Sequence, residues 1–552
     1  MPYRVLVTDE IDPEGVALLA AEPELIVDEV PTLPKDVLLS RIGDYDAIVG
    51  RSATRVSADV LRAAPRLKVV GRAGVGVDNV AIDVATELGI AVVNAPAGNT
   101  IAVAELFFGV VIGILRQLPT ADASMREGRW DRSALMGTEL LGKTLGIIGL
   151  GRIGGEIATR AHAFGMTVVA YDPYVAESRF QSLRVRRADT LDALLDEATI
   201  ITVHTPLTDE TRGMIGRREI ARVSPNAILV NMARGGIIDQ EAIADAAAAG
   251  NIRAAAIDAF VAEPLAKDSP LRQLPNIYLT PHMGASTIEA QRNVAVDACA
   301  AVRDILLRGE LARSLNIAEV GAGGWGELRP ALDLTRKLAA TARAILASQG
   351  GGGATRAIGK IEVRTGEAFG SARGALLASA AVGTLESVTE HERLNVINAR
   401  ALAEARGIEL SFTELGRGTT GGDGTRAGAH TIEVRLSGGM QDVSVAGLAT
   451  PDAVPRITRI GAFHVDVHPR ETLLILTNRD VPGVIGRVGT LLGESGVNIA
   501  EYHQARLAQG GEALAAVAVD GAIADATREA LLQLPDVRSA TVVTFGNGRA
   551  EA

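Results

Sequence analysis

Across its first 310 residues this chain alternates short β-branched runs with segments of helix length. The runs are Arg4–Val7, Ala47–Val49, Leu67–Gly71, Ala91–Val93, Leu145–Ile148, Thr167–Ala170, Ile200–Val203, Ala227–Asn231 and Ala254–Ile257. A strand followed by a helix, many times over, predicts βαβ units and parallel sheets, hence an α/β fold. In open sheets of that kind ligands sit beyond the carboxyl ends of the strands. The residues that directly follow a run are therefore the ones to read for chemistry.

Leu145-Gly146-Ile147-Ile148-Gly149-Leu150-Gly151-Arg152-Ile153-Gly154 is a strand running into G-x-G-x-x-G and then a helix. Gly149 makes the tight turn, Gly151 lets the backbone approach a pyrophosphate, and Gly154 lets the helix pack on the strand. The helix N-terminus offers free N–H groups to the phosphates. The next run ends in Asp172, eighteen residues after Gly154. A carboxylate there binds a ribose 2′-OH and repels a 2′-phosphate. Glycines alone make ordinary turns, but strand, glycines, helix and acid together predict a dinucleotide site with NAD favoured over NADP.

Three more segments end runs on the same sheet. Ala233-Arg234-Gly235-Gly236 follows one, Asp258 to Pro264 follows another, and Thr-Pro-His-Met-Gly-Ala-Ser-Thr, Thr280 to Thr287, follows Ile277–Leu279. Arg234, Glu263 and His282 delivered to one edge suit a hydroxy acid. The arginine can grip a carboxylate with two prongs, the histidine can take the hydroxyl proton as a hydride leaves, and the glutamate can orient the imidazole. Taken singly they also read as a surface arginine, a turn-forming Glu-Pro and a solvated histidine.

At 552 residues the chain exceeds a single core, and roughly three to five domains are expected. A net charge of −11 and a pI of about 5.4 speak against nucleic acid or anionic membrane as the main partner. Apolar residues at 47% and charged residues at 22% give the balance of a soluble globular protein. Cys299 is the only cysteine, which excludes an intrachain disulfide and a cysteine zinc cluster and suits a reducing cytoplasm. No metal is expected. The start, MPYRVLVTDE, is unlike a signal peptide, and the apolar run Leu106–Leu115 is too short to span a bilayer.

After residue 317 the composition changes. Val320–Gly326 reads as a linker, and Ser348–Gly353 and Gly416–Gly428 as glycine-rich loops within a less regular α+β region ending near Arg456. Regular pattern then returns. Thr472–Thr477, Val497–Leu507, Ala513–Val519 and Val537–Phe545 are strand-like, with helical Pro482–Ser495 and Ala526–Leu534 between them. That is βαββαβ, the ferredoxin-like order. A small unit without an obvious catalytic group, set behind a linker, suggests sensing.

RSATRVSADVL, GRAGVGVDNV, GTELLGKTLGIIGLGRIG, ITVHTPLTDETRGMI, NMARGGIIDQEA, DAFVAEP and TPHMGAST resemble the D-isomer-specific 2-hydroxyacid dehydrogenases, covering residues 1–317 almost without a gap. NRDVPGVIGRVGTLLGESGVNIAEY resembles an ACT domain, and ERLNVINARALAEARGIEL resembles the intervening domain of the long members. The resemblance implies a Rossmann-type NAD domain, 99–287, inserted in a flavodoxin-like substrate domain, 1–98 and 288–317. An α+β intervening domain, 318–456, and a ferredoxin-like ACT domain, 470–547, would follow. It further implies oxidation of D-3-phosphoglycerate to 3-phosphohydroxypyruvate with NAD, the first step of phosphorylated serine biosynthesis, by a cytoplasmic homotetramer with L-serine as effector.

Carried over residue by residue, the catalytic set falls on Arg234, Glu263 and His282. Cofactor contacts fall on Gly149, Gly151, Arg152, Ile153, Gly154, Asp172, Thr205, Met232, Asp258 (toward the nicotinamide amide) and Gly284. Arg51, Ser52, Arg72 and Asn99 fall on the substrate side, and Arg132 on a basic position that reaches in from a neighbouring subunit. Asn478, Asp480 and Asn498 fall where ACT-bearing relatives hold an amino acid across a side-by-side dimer. The departures are Met283, where leucine is expected, and Asn99, which lies in AGNT rather than one fixed tetrapeptide. Two rivals keep the fold. One is a glyoxylate, hydroxypyruvate or lactate dehydrogenase, relatives that usually lack the long extension. The other is an NAD-sensing corepressor, against which the ACT-like tail speaks for amino-acid sensing.

Overall fold

The structure is a computed structural model that describes residues 2–317, 324–349, 358–386, 393–415, 428–439, 441–450 and 454–545. The first sheet holds β1 (Tyr3–Val7), β2 (Leu25–Glu29), β3 (Ala47–Gly50), β4 (Val69–Arg72) and β5 (Ala91–Asn94), all parallel, in the order β2-β1-β3-β4-β5. This is the flavodoxin-like order. Strands β3 and β5 are buried at every residue, as strands covered on both faces should be. One covering helix comes from far along the chain. Val294, Ala298, Val302 and Ile305 of helix Ile288–Arg308 share a core with Val5, Val49 and Val93. A Cβ on Gly71 would lie 2.6 Å from Val302, and one on Gly15 would lie 2.7 Å from the Ala295 backbone, so this close approach needs both glycines.

The second sheet holds β6 (Thr144–Ile148), β7 (Thr167–Tyr171), β8 (Arg186–Arg187), β9 (Ile200–Val203), β10 (Ile228–Asn231), β11 (Ala254–Ile257) and β12 (Ile277–Leu279). It is parallel throughout in the order β12-β11-β10-β9-β6-β7-β8, a Rossmann order with β12 added at one edge. Helix Thr100–Leu115, apolar almost all round, carries the chain into this sheet after β5.

A six-stranded sheet follows, β14-β13-β15-β16-β17-β18, from β13 (Lys360–Thr365), β14 (Glu409–Glu414), β15 (Thr431–Gly438), β16 (Gln441–Leu448), β17 (Arg456–Ile460) and β18 (Phe463–Val467). It therefore runs on past Arg456. The linker reading of Val320–Gly326 needs a correction, because Gly324, Trp325 and Gly326 open helix Gly324–Ser348. Leu334, Leu338 and Leu346 on its apolar face are buried against the sheet, and that packing outweighs the low helix propensity of two glycines. Residues 320–323 of the linker, and most of both glycine-rich loops, lie outside the described residues.

The stretch after residue 392 grips the first sheet at the amino ends of its strands. Arg393 donates to the carbonyls of Leu67, at 2.9 Å, and Ala64. Asn395 donates to Gly89 at 2.7 Å and Asn398 to Glu87 at 3.3 Å, while Ile397 enters the core of the first sheet. The last sheet, β20-β21-β19-β22, is formed by β19 (Thr472–Arg479), β20 (Asn498–Arg506), β21 (Glu512–Asp520) and β22 (Val537–Thr544). Helices Val484–Glu494 and Asp525–Leu532 complete the ferredoxin-like βαββαβ unit.

Candidate active site

Strands β10, β11 and β12 deliver Arg234, Glu263 and His282 beyond their carboxyl ends. His282 sits in the left-handed backbone region at φ 50, with its N–H donating to Thr280 O at 3.0 Å. Non-glycine residues there are uncommon and concentrate at functional sites. Its Nδ1 meets both oxygens of Glu263, at 2.8 and 2.7 Å. The Phe260 N–H also donates to Glu263, at 2.9 Å, which fixes the carboxylate that fixes the ring. Nε2 is the nitrogen left for a substrate hydroxyl. The loop itself is held by Asp258, which is buried after β11. Its oxygens accept from Thr280 Oγ1 at 2.6 Å, Met283 N at 2.8 Å and Gly284 N at 3.0 Å. Asp258, expected to face the nicotinamide amide, thus gives both oxygens to the loop that carries His282.

Arg234 crosses from the second sheet to the first. Its Nε donates to Asp78 at 3.0 Å and its Nη1 to Ala233 O at 2.8 Å. A Cβ on Gly76 would fall 1.9 Å from its Nη2, so the guanidinium lies directly against this loop and a larger residue there would have to displace it. Arg72, at the end of β4, is largely buried. Burial first, then the like charges of Arg234 and Arg51, push its guanidinium down to about 10. Its Nη1 donates to Ala73 O at 3.2 Å and its Nε is buried with no partner. Three cations therefore lie close together, and the most buried of them forms no direct ion pair among the described residues, with the charges of Asp78 and Asp9 acting on it only as weaker offsets. Asn99, at the start of helix Thr100–Leu115, has a buried Oδ1 without a partner. Ser52 is exposed on the loop beside Arg51. Arg132 stands apart, exposed on the segment before β6.

The dinucleotide motif has the shape its glycines require. Gly149 turns at φ 93, and a Cβ there would meet the His204 carbonyl at 2.7 Å. A Cβ on Gly154 would lie 2.2 Å from Gly149 O, whereas nothing lies within 4 Å of that position on Gly151, the face open to a phosphate. Gly151 caps helix Arg152–Ala163, which Arg152 and half-buried Ile153 open. Asp172 accepts from Leu150 N at 2.8 Å and from Tyr174 N at 3.0 Å, tying the end of β7 to the glycine turn. Met232 is buried just past β10. Beside Gly149, Thr205 Oγ1 and His204 Nδ1 are both buried without partners. Burial pushes the His204 imidazole down to about 3, and its Nε2 is paired with Thr202 Oγ1 at 2.8 Å. Open glycine, acid and two orphaned polar atoms fit a bound dinucleotide. His204 was not singled out in the sequence, though its place at the end of β9 was signal enough.

In the last sheet the three effector candidates do not meet within the chain. Asp480 accepts from Arg506 Nη1 and Gly510 N, each at 3.1 Å, at one end of β20. These contacts lower its pKa, the Gly510 N–H most, then Arg506. Asn498 starts β20 and donates to Asp520 at 2.6 Å. The nine residues of β20 put these positions roughly 26 Å apart. Asn478 is buried and donates to Arg479 O at 2.8 Å.

The family model of the D-isomer specific 2-hydroxyacid dehydrogenase NAD binding domain matches residues 108–284, and that of the ACT domain residues 472–536. A D-3-phosphoglycerate dehydrogenase of Mycobacterium tuberculosis is 39% identical over 542 residues, 98% of each chain. That of Methanocaldococcus jannaschii is 37% identical over 544 residues, 98% of this chain and 100% of its own. The chain belongs to the D-3-phosphoglycerate dehydrogenase family. Among solved structures, the TT0316 protein of Thermus thermophilus is 34% identical with a TM-score of 0.51, covering 55% of this chain and 96% of its own. A glyoxylate reductase of Paecilomyes thermophila is 27% identical with a TM-score of 0.52, covering 57% and 99%. The likeness to these solved chains takes in little more than half of this member of the family. NAD is the cofactor of the fold that β6–β12 build. Among the described residues no single helix is long and apolar enough to cross a membrane, and no group of acidic, histidine or cysteine side chains is placed to hold a metal.

Proposed function

We propose that the protein oxidises D-3-phosphoglycerate to 3-phosphohydroxypyruvate with NAD, opening phosphorylated L-serine biosynthesis in the cytoplasm. The observation that carries this reading is the cluster of three cations, Arg51, Arg72 and Arg234, in a chain that also carries the His282–Glu263 pair beyond the carboxyl ends of the sheet that delivers Arg234. A substrate with a carboxylate at one end and a phosphate at the other needs more positive charge than glyoxylate or lactate does. Arg234 holds the carboxylate, Arg51 and Arg72 the phosphate, with Ser52 and Asn99 as neutral partners. His282 Nε2 takes the hydroxyl proton, and Glu263 stabilises the imidazolium that results. Bound NAD supplies the hydride acceptor. Gly149, Gly151, Arg152, Ile153, Gly154, Asp172, Thr205, Met232 and Gly284 would hold it, with Asp258 keeping the His282 loop in place.

We further propose a homotetramer that L-serine inhibits. Trp130 at 78% exposed, Met136 at 81% and Leu141 at 70% leave an apolar surface around Arg132, next to a cavity of about 290 Å³ lined by Leu115, Leu140 and Phe164. A second copy seated there would carry its Arg132 toward the neighbouring cleft. The separation of Asp480 from Asn498 likewise suits a serine site completed by a second copy. The test is NADH formation from D-3-phosphoglycerate with a trap for the 2-oxo product, beside glyoxylate, hydroxypyruvate and lactate assayed in the direction each favours. Faster turnover of an unphosphorylated acid would overturn the assignment.

A further inference from the structure

Asp9, two residues past the end of β1, lies in the left-handed backbone region at φ 67 and is 7% exposed. One of its oxygens accepts from the backbone N–H of Arg51 and of Thr54, both at 2.8 Å. The other accepts from the hydroxyls of Thr54, at 2.6 Å, and Thr32, at 2.7 Å. From the opposite side the Asn79 amide donates to Arg51 O at 2.8 Å and to Thr54 O at 2.7 Å. Both ends of the loop are thus held by N–H and by C=O, while Ser52 and Ala53 between them stay exposed. The neighbour of Asn79 is Asp78, the partner of Arg234.

We infer that Asp9 and Asn79 are positioning residues that fix Arg51 and the Ser52–Ala53 peptide for the substrate phosphate without touching it. The inference rests on the phosphoglycerate reading above. By charge alone, a buried carboxylate beside a cation cleft opposes an anion. Its contribution there is as a hydrogen-bond acceptor that sets backbone geometry, and strained backbone of this kind collects at ligand clamps. An asparagine at position 9 tolerates the same φ and can keep accepting both backbone N–H groups while its amide faces the two hydroxyls. Loss of the charge alone therefore predicts a lower KM in Asp9→Ala and Asp9→Asn alike, whereas positioning predicts a raised KM in the first and little change in the second.

In the full-length protein, Asp9→Ala and Asn79→Ala should raise KM for D-3-phosphoglycerate about 10-fold or more, with KM for NAD and kcat within about 3-fold of wild type. Asp9→Asn should stay within about 3-fold on all three constants. Amide hydrogen exchange at Arg51 and Thr54 should quicken in Asp9→Ala and remain slow in Asp9→Asn. If Asp9→Ala does not fold, Asn79→Ala loosens the same loop from its other side and is judged by the same split. An unchanged KM beside quickened exchange overturns the inference, as does an Asp9→Asn enzyme no better than Asp9→Ala. Wild-type protein that leaves D-3-phosphoglycerate unoxidised refutes the parent reading, and the bracket then stands or falls on the exchange pattern.

Discussion

Arg72→Met should make the substrate-free protein more stable and the enzyme worse. Burial first, then the charges of Arg234 and Arg51, lowers the Arg72 guanidinium from its ordinary value to about 10. That fall is worth about 3 kcal/mol against the charged form, at 1.36 kcal/mol per unit. The sign follows from proton counts. Below pH 10 the folded and unfolded chains both hold the proton, so the whole penalty is present at neutral pH and fades only as pH rises above 10. Methionine keeps an apolar stem of similar length, removes the charge and loses the 3.2 Å bond to Ala73 O, a loss of about 1 kcal/mol. The net gain expected for the substrate-free protein is about 2 kcal/mol, read as a rise in urea midpoint at unchanged slope. In catalysis, losing a charge-assisted bond to phosphate, about 2 kcal/mol, raises KM for D-3-phosphoglycerate about 30-fold. KM for an unphosphorylated 2-hydroxy acid should move far less. A variant less stable than wild type, or equal KM changes on both substrates, would refute the reasoning.

His282→Ala should lower kcat about 10²–10⁴-fold with NAD affinity unchanged by calorimetry, and Glu263→Gln should fall between the two. Asp172→Ala should narrow the preference for NAD over NADP in paired kinetics; unchanged selectivity would mean another group reads the ribose. The His204 imidazole, held neutral by burial at about 3 against an ordinary 6.5, contributes stability that is complete above pH 6.5 and is lost as pH falls toward 3. Between pH 7 and 5 that loss is about 2 kcal/mol, and urea melts of His204→Asn at both pH values should show a flatter dependence. Truncation before Glu471 should leave an active enzyme blind to L-serine, while full-length protein that neither binds nor responds to millimolar serine removes the regulatory proposal.

The strands of the first two sheets were legible because a parallel strand covered on both faces must be apolar along its length, as AIVG and AVVN are. Strand β8 was not, being two arginines, and β2 was hidden by Asp28 and Glu29 on an edge. Strands β13 and β15, KIEVRT and TIEVRLSG, put charges on alternate residues, so they look irregular until a sheet with one wet face is supposed. Arg234, Glu263 and His282 could be found because each follows a strand. Asp9 and Asn79 could not, since they act on the backbone of a distant loop and carry no chemistry of their own. The effector reading placed Asp480 and Asn498 by the two ends of one helix; the register of β20 shows how far apart those ends lie.

The chain passes between the first and second sheets twice, outward between β5 and helix Thr100–Leu115 and back between β12 and helix Ile288–Arg308. A lobe on one tether can swivel in any direction, whereas a lobe on two separated tethers turns only about the line that joins them, like a door on two pins. Opening and shutting would then trace a single arc. Arg234 and Asp78 sit on opposite lobes, and their ion pair at 3.0 Å joins the two across the line of that turn. Any such swing would return the His282 ring toward the first lobe along one path, so that aim would be built into the way the chain is threaded.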